Sequence, residues 1–356
     1  MTRTEGAISP PPGVTPDFEN PQDVLHTINF VSQILAVALV TPFVFIRIYA
    51  KVFLRPPFLI EDWACVVAWI LAMMYSATAF VMHRFGGGYH AWEISSQEYK
   101  GFLKALYADT IVYGPNAYFT KVALLLVIVR VFSAFKTTKM VTYVFMGAMA
   151  GYYLPVMFIK AFICTPINGY WDSSIHAKCL DQRGVFVADT VISAVTDLAV
   201  LVIPIPATLA LRMPLKKKVK VWVMLGVGGI ATLASFIRLV LVIKMQESDD
   251  QTVDFVRFNL LGTAEVSIGL ICACLPACNI LFMRIKGELS QDSESAGTPP
   301  SLRMRNVRFL RGSRLQTATI LPDELGDTTL AQSQQSTGKK TEGIPRMVVR
   351  EEREFV

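Results

Sequence analysis

The sequence predicts an all-α fold: a seven-transmembrane-helix bundle with its N-terminus outside and its C-terminus cytosolic. Three observations carry this expectation. Apolar runs of membrane-crossing length recur along the chain, charge is scarce, and lysine and arginine are unevenly shared between alternate connections. Hydrophobic residues make up 53% of the chain and charged residues 17%, against about 25% charged in an ordinary soluble domain. Mean hydropathy is +0.43.

The runs are Ile28 to Tyr49, Trp63 to Met82, Ala105 to Val129, Met140 to Ile163, Gly184 to Leu209, Val221 to Ile243, and Phe258 to Met283. At 1.5 Å per residue, about 20 helical residues cross a hydrocarbon core of about 30 Å. Helices satisfy their own backbone there, whereas an open strand does not. The third run is the most polar, holding Asp109, Pro115, Asn116 and Lys121. The first follows Ser9-Pro10-Pro11-Pro12 without a basic stretch, unlike a cleaved signal peptide.

Orientation follows from the basic residues of short connections. Arg47, Lys51 and Arg55, then Arg130, Lys136 and Lys139, then Arg212 with Lys216, Lys217, Lys218 and Lys220 lie on one side. The other side has the smaller share: Arg3, Arg84, Lys100, Lys104, Lys178, Arg183, Lys244 and Arg257. The basic tail adds to the first side, which is therefore read as cytosolic. The expected organisation is an outer, disordered segment over residues 1–24, a membrane domain over 25–285, and a disordered basic tail over 286–356. In that tail Arg303, Arg305, Arg308, Arg311 and Arg314 interleave with Val307, Phe309 and Leu310, a pattern suited to an anionic lipid surface. No internal repeat is visible, which disfavours a transporter.

Ionisable groups at bilayer depth need partners. Estimated depths place Asp109, Asp189, Arg238 and Glu265 in an outer layer. Lys121 and Asp197 fall deeper and are expected to form an intramembrane ion pair. Asp109, Tyr113, Asn116 and Thr120 recur at helical spacing, as do Asp189, Ser193 and Asp197, giving two polar helix faces. Such faces serve helix–helix adhesion equally well. The functional reading is an outward-opening ligand pocket, with Asp109, Tyr113, Asn116, Asp189, Arg238 and Glu265 as candidates.

Cys65, Cys272, Cys274 and Cys278 fall within the apolar runs and read as small hydrophobes rather than metal ligands. Cys164 and Cys179 bracket an outer connection and are expected to form a disulfide holding Trp171 over the pocket mouth. His26, His83, His90 and His176 all fall on the outer side and are expected to be solvated.

Several motifs resemble a known family. They are His83-Arg84-Phe85-Gly86-Gly87-Gly88-Tyr89-His90, Glu61-Asp62-Trp63, and Cys164-Thr165-Pro166 with Trp171 and Cys179. Asp197 with Pro204 and Pro206, Gly226, Arg238, Glu265 and Leu275-Pro276 complete the set. Together they are similar to the fungal rhodopsin-like domain family, over residues 25–285. The resemblance implies a fungal source and a seven-helix fold. One branch of that family is receptor-like and senses surfaces; others accompany secondary-metabolite gene clusters.

The run Phe258 to Met283 holds no lysine for a Schiff base, so no retinal or other cofactor is expected. The inner ends read Ile128-Val129-Arg130-Val131 and Leu275-Pro276-Ala277-Cys278-Asn279, which do not support G-protein coupling. Nothing points to nucleic acid. The leading expectation is a receptor-like plasma-membrane sensor of a small molecule or surface cue. The alternative is an accessory protein or cyclase-like enzyme of a metabolite cluster, using Asp109, Asp189 or Glu265 as proton donor. No Asp-Asp-x-x-Asp diphosphate motif supports the enzyme; Glu247-Ser248-Asp249-Asp250 does not fit.

Overall fold

The computed structural model describes residues 6–53, 57–132, 135–172, 174–210, 215–245 and 250–296. The chain divides into residues 1–298 and 299–356, and the second unit lies outside the described residues. So do the side chains of the basic run Lys216 to Lys220 and the arginine pattern Arg303 to Arg314.

Among the described residues, eight α-helices build the first unit: α1 His26–Phe53, α2 Ile60–Arg84, α3 Ser96–Val131, α4 Lys136–Ala161, α5 Gln182–Val202, α6 Pro204–Ala210, α7 Leu215–Met245 and α8 Gln251–Ala296. Seven spans among the described residues are long and apolar enough to cross a membrane, the fifth being Gln182–Leu209, which joins α5 and α6. The interruption falls before Pro204-Ile205-Pro206, where proline lacks an N–H and crowds the preceding turn.

Local signals set the helix starts. Asp23 caps α1: its carboxylate accepts from His26 N (2.8 Å) and from Thr27 Oγ1 (2.5 Å). The Thr27 hydroxyl is the main reason the Asp23 carboxyl is held below its usual range. Ser95 and Glu98 form a reciprocal capping box at the start of α3. Its first helical residue, Ser96, lies nine residues before Ala105, so α3 begins well ahead of its hydropathic run. Asp181 caps α5 by accepting from Arg183 N.

α3 is the central helix, packing against α2, α4, α5 and α8; α8 also packs on α1, α2 and α7. Large apolar side chains such as Leu39, Trp63, Val144, Val195 and Ile230 point outward, as lipid-facing surfaces require. Between α4 and α5, β1 Cys164–Thr165 pairs antiparallel with β2 Lys178–Cys179, with Cys164 opposite Cys179. Those two cysteines are disulfide-bonded.

Two boundaries differ from the hydropathic reading. Residues 6–24 are tied down: Ala7 N donates to Ile94 O, Gln22 N to Glu93 Oε2, and Leu25 N to Gly88 O. Backbone donors and a capping aspartate order this polar segment, which hydropathy does not register. At the other end α8 continues past residue 285 to Ala296, because helix formation does not stop where lipid does.

Candidate functional site

Interior polarity divides into four groups. Nearest the disulfide end, Lys160 Nζ of α4 meets Asp189 Oδ2 of α5 at 2.6 Å. Both are nearly fully buried, and Asp189 Oδ1 has no hydrogen-bond partner. Lys160 was not anticipated. It sits close to the end of its apolar run, where a lysine reads as reaching for the interface. The rule that singled out Lys121 applies to it equally.

Asp109 lies beside this pair, and among the described residues no cation is in bonding range of it. Its Oδ1 accepts from Thr78 Oγ1 (2.7 Å) and Asn259 Nδ2 (3.0 Å). Asn259 in turn accepts from Gln33 Nε2 of α1 at 3.0 Å. A polar chain therefore runs across α2, α3, α8 and α1.

The third group is the bundle centre. Lys121 Nζ stands 3.1 Å from Asp197 Oδ1 and 3.8 Å from Glu265 Oε1. Glu265 Oε2 pairs with Arg238 NH2 at 3.0 Å. Tyr113 OH donates to Glu265 (3.3 Å), Lys121 donates to Ser193 Oγ (3.0 Å), and Ser235 Oγ donates to Asp197 Oδ2 (2.6 Å). The Arg238 guanidinium sits over the rings of Tyr113 and Phe258, 4.7 and 4.9 Å from their centroids. Its exposure is 0%. Arg238 and Glu265 of the expected outer layer thus share one network with Lys121 and Asp197 of the deeper one, while Asp109 and Asp189 stand in groups of their own. Glu265 joins them because two long cationic side chains, from α3 and α7, reach the same carboxylate.

The fourth group lies at the opposite end of the bundle. Arg47 donates from Nε to Asp62 Oδ1 (2.9 Å) and from NH1 to the Ala273 carbonyl (2.5 Å). Lys51 Nζ reaches Asp62 Oδ2 at 2.9 Å, and Arg130 of α3 pairs with Glu61. Arg47 and Lys51, counted above as connection charges, are buried inside α1. Leu59 N also donates to Asp62 Oδ2 (3.0 Å), so one carboxylate both caps α2 and ties it to α1.

The space is arranged differently from the expected pocket. A cavity of about 320 Å³ opens at the disulfide end between α3, α4, α5, α7 and α8. Its walls include Leu103, Tyr170, Phe186, Gln251 and Asp254, and Lys160 forms part of its floor. Asp109, Tyr113 and Asp189 border only a small chamber of about 10 Å³ beneath it, which Lys160 shares. Glu265, Lys121 and Asp197 border a separate cavity of about 60 Å³ toward the opposite end. Arg238 and Asn116 are fully buried and border none of these three cavities. The anticipated ring of charges at a pocket mouth is therefore replaced by a vestibule lined by Lys160, whose partner Asp189 borders the small chamber instead. Charges in apolar surroundings need partners, and each of these carboxylates finds its own on a neighbouring helix. Tyr170, not Trp171, lines the vestibule. Trp171 instead packs edge-on to Tyr107 at 5.9 Å under the Lys104 ammonium.

The histidines are only partly solvated. His26 stacks on His83 at 3.7 Å and on Tyr89 at 4.0 Å, and His90 Nδ1 lies 2.5 Å from Asp250 Oδ2. Among the described residues no group of three or more His, Cys, Asp or Glu side chains is placed to hold a metal ion.

Seven apolar spans around a buried ionic network define a multi-pass membrane protein. The chain belongs to the fungal rhodopsin domain family, whose profile matches residues 46–284. It is 24% identical over 216 residues to a SAT4 family membrane protein of Emericella nidulans, covering 60% of this chain and 55% of that one. It thus spans little more than half of that relative. A protein named Fugralins biosynthesis cluster protein 2, from Gibberella zeae, is 24% identical over 76% of this chain and 69% of its own length. One named Receptor GIN3, from Arthrobotrys oligospora, is 22% identical over 80% of this chain and 69% of its own.

Proposed function

We propose that this protein is a receptor-like sensor in the plasma membrane, with the disulfide end outside and the vestibule as the site for a small amphipathic ligand. The observation that carries the reading is the cavity of about 320 Å³ floored by Lys160. Its size is that of a small-molecule site, and its mixed apolar and polar walls suit an amphipathic guest. The Lys160–Asp189 pair beneath it adjoins Asp109 and Tyr113, and Tyr113 bonds the central carboxylate Glu265. A ligand that draws Lys160 upward uncovers Asp189 and perturbs these contacts, which link α3, α4, α5 and α8. The disulfide at the vestibule end is in keeping with an oxidising exterior, as is the share of basic residues at the other end. The relative named as a receptor supports the same reading.

A second reading rests on the relative named for a biosynthesis cluster: an accessory protein or cyclase-like enzyme of a metabolite pathway, with Asp109, Asp189 or Glu265 as proton donor. Deleting the gene in the source organism separates the two. A sensor's loss removes a response to a surface or chemical cue and leaves the metabolite profile intact; an accessory protein's loss does the reverse. Returning the gene as Leu103→Trp, which fills the vestibule, restores nothing if the vestibule is the site. Full restoration by a well-expressed Leu103→Trp protein rejects it.

A further inference from the structure

The mechanism proposed above makes no use of the free cysteines. Cys65 of α2 and Cys274 of α8 face each other across the helix contact at the end opposite the disulfide, Sγ to Sγ 3.7 Å. Their exposures are 1% and 0%, and both are free thiols. They are 209 residues apart in sequence, so the fold alone brings them together. Arg47 stands beside them: it donates to the carbonyl of Ala273, the residue before Cys274, and to Asp62, one helical turn before Cys65. Reactive cysteines occur next to cations.

We propose that Cys65 and Cys274 are a redox-modification site, a dithiol that a hydroperoxide converts into a disulfide joining α2 to α8. A disulfide needs about 2.05 Å between sulfurs, so the pair must close by about 1.7 Å, a displacement on the scale of side-chain rotation. One sulfur attacks a peroxide oxygen, forming an S–O bond and breaking the O–O bond. The displaced oxygen leaves with the thiol's proton, as water when the oxidant is hydrogen peroxide. The second sulfur then attacks the sulfenic sulfur; the S–S bond forms, the S–O bond breaks, and the hydroxide takes the second thiol's proton. Two thiols and one hydrogen peroxide thus give one disulfide and two waters, the sulfurs losing two electrons and the peroxide gaining them. Burial does not bar the reagent, since hydrogen peroxide is small and uncharged. The product pins α8 to α2 next to the Arg47 contact, fixing the end of the bundle opposite the Cys164–Cys179 disulfide.

The experiment uses the full-length protein in native membranes, treated with hydrogen peroxide, then unfolded and alkylated. Cys65, Cys272, Cys274 and Cys278 are the four free thiols. Alkylation is expected to fall from four sites to two, with a Cys65–Cys274 cross-linked peptide by mass spectrometry and recovery on adding dithiothreitol. Cys65→Ser and Cys274→Ser proteins should each keep all three remaining thiols. Cys272, equally buried at 1% exposure, is the internal control. Four alkylatable thiols under peroxide that oxidises a reference dithiol overturn the proposal. So does a linkage through Cys272 or Cys278, or sulfinic acid without any cross-link.

Discussion

Lys160 and Asp189 meet at 2.6 Å inside the bundle, and the consequence of breaking them can be stated. Removing one partner of a buried ion pair leaves an uncompensated charge and costs about 3–5 kcal/mol, whereas replacing both by apolar groups is close to neutral. Lys160→Met and Asp189→Leu alone should each lower the unfolding temperature of the detergent-purified protein, and the double variant should recover most of the loss. Equal losses in all three would show that the pair contributes packing rather than charge balance. Asp172, on the connection between α4 and α5, offers a titration. The Ser174 hydroxyl and then the Lys100 ammonium hold its carboxyl down at about 2. A depressed folded-state value means the contribution is present above the unfolded carboxylate range, about 3.9, and is lost as pH falls toward 2. The Lys100 contact at 3.1 Å should therefore persist throughout mildly acidic pH. An NMR titration of Asp172 should show Ser174→Ala raising the midpoint more than Lys100→Ala.

Helix ends and crossings carry the next set of consequences. The turn after α2 packs its backbone directly on the start of α1. Gly88 has φ +95°, and a Cβ there would lie 2.5 Å from His26 N. Its carbonyl accepts from Leu25 N, so the left-handed glycine docks the N-terminal segment. Gly88→Ala should destabilise by about 1–3 kcal/mol through strain and overpacking. The readout is earlier proteolysis within residues 6–24, with the remaining spans still protected. At the other end Arg47 links α1 to α2 through Asp62 and to α8 through Ala273. Arg47→Lys keeps the charge but not the fork of donors. It should be less stable than the wild type, and Arg47→Ala less stable still. Retention of full stability by Arg47→Ala would remove the three-helix link. These ties were only partly legible beforehand. Glu61-Asp62 stood out as a motif, but Arg47 reads as an ordinary positive flank, because hydropathy does not distinguish a charge turned inward from one turned to solvent.

At the scale of the molecule, the Cys164–Cys179 disulfide closes a segment with a sequence separation of 15. A loop of that length contributes roughly 3 kcal/mol by restricting the unfolded chain. Cys164→Ser with Cys179→Ser should lower the unfolding temperature and loosen the vestibule wall at Tyr170, read as faster hydrogen exchange there. An unchanged unfolding temperature would mean that the strand pairing of β1 and β2 holds the loop unaided.

The division between sequence and tertiary structure follows from the range of the forces. Seven spans were legible because each is a local run of apolar side chains, and a bilayer acts on each helix separately. Lys121 and Asp197 could be paired in advance because both lie at a similar depth on helices running the same way, and they stand 3.1 Å apart. Depth alone did not decide which helices are neighbours. Helix packing assigned Lys160 to Asp189, brought Arg238 and Lys121 onto the one carboxylate of Glu265, and set Cys65 against Cys274. It also left Asp109, Asp189, Arg238 and Glu265 out of the vestibule lining and put Lys160 into it. Buried ions in a medium of low dielectric choose partners by distance, and distances between helices exist only once the bundle is assembled.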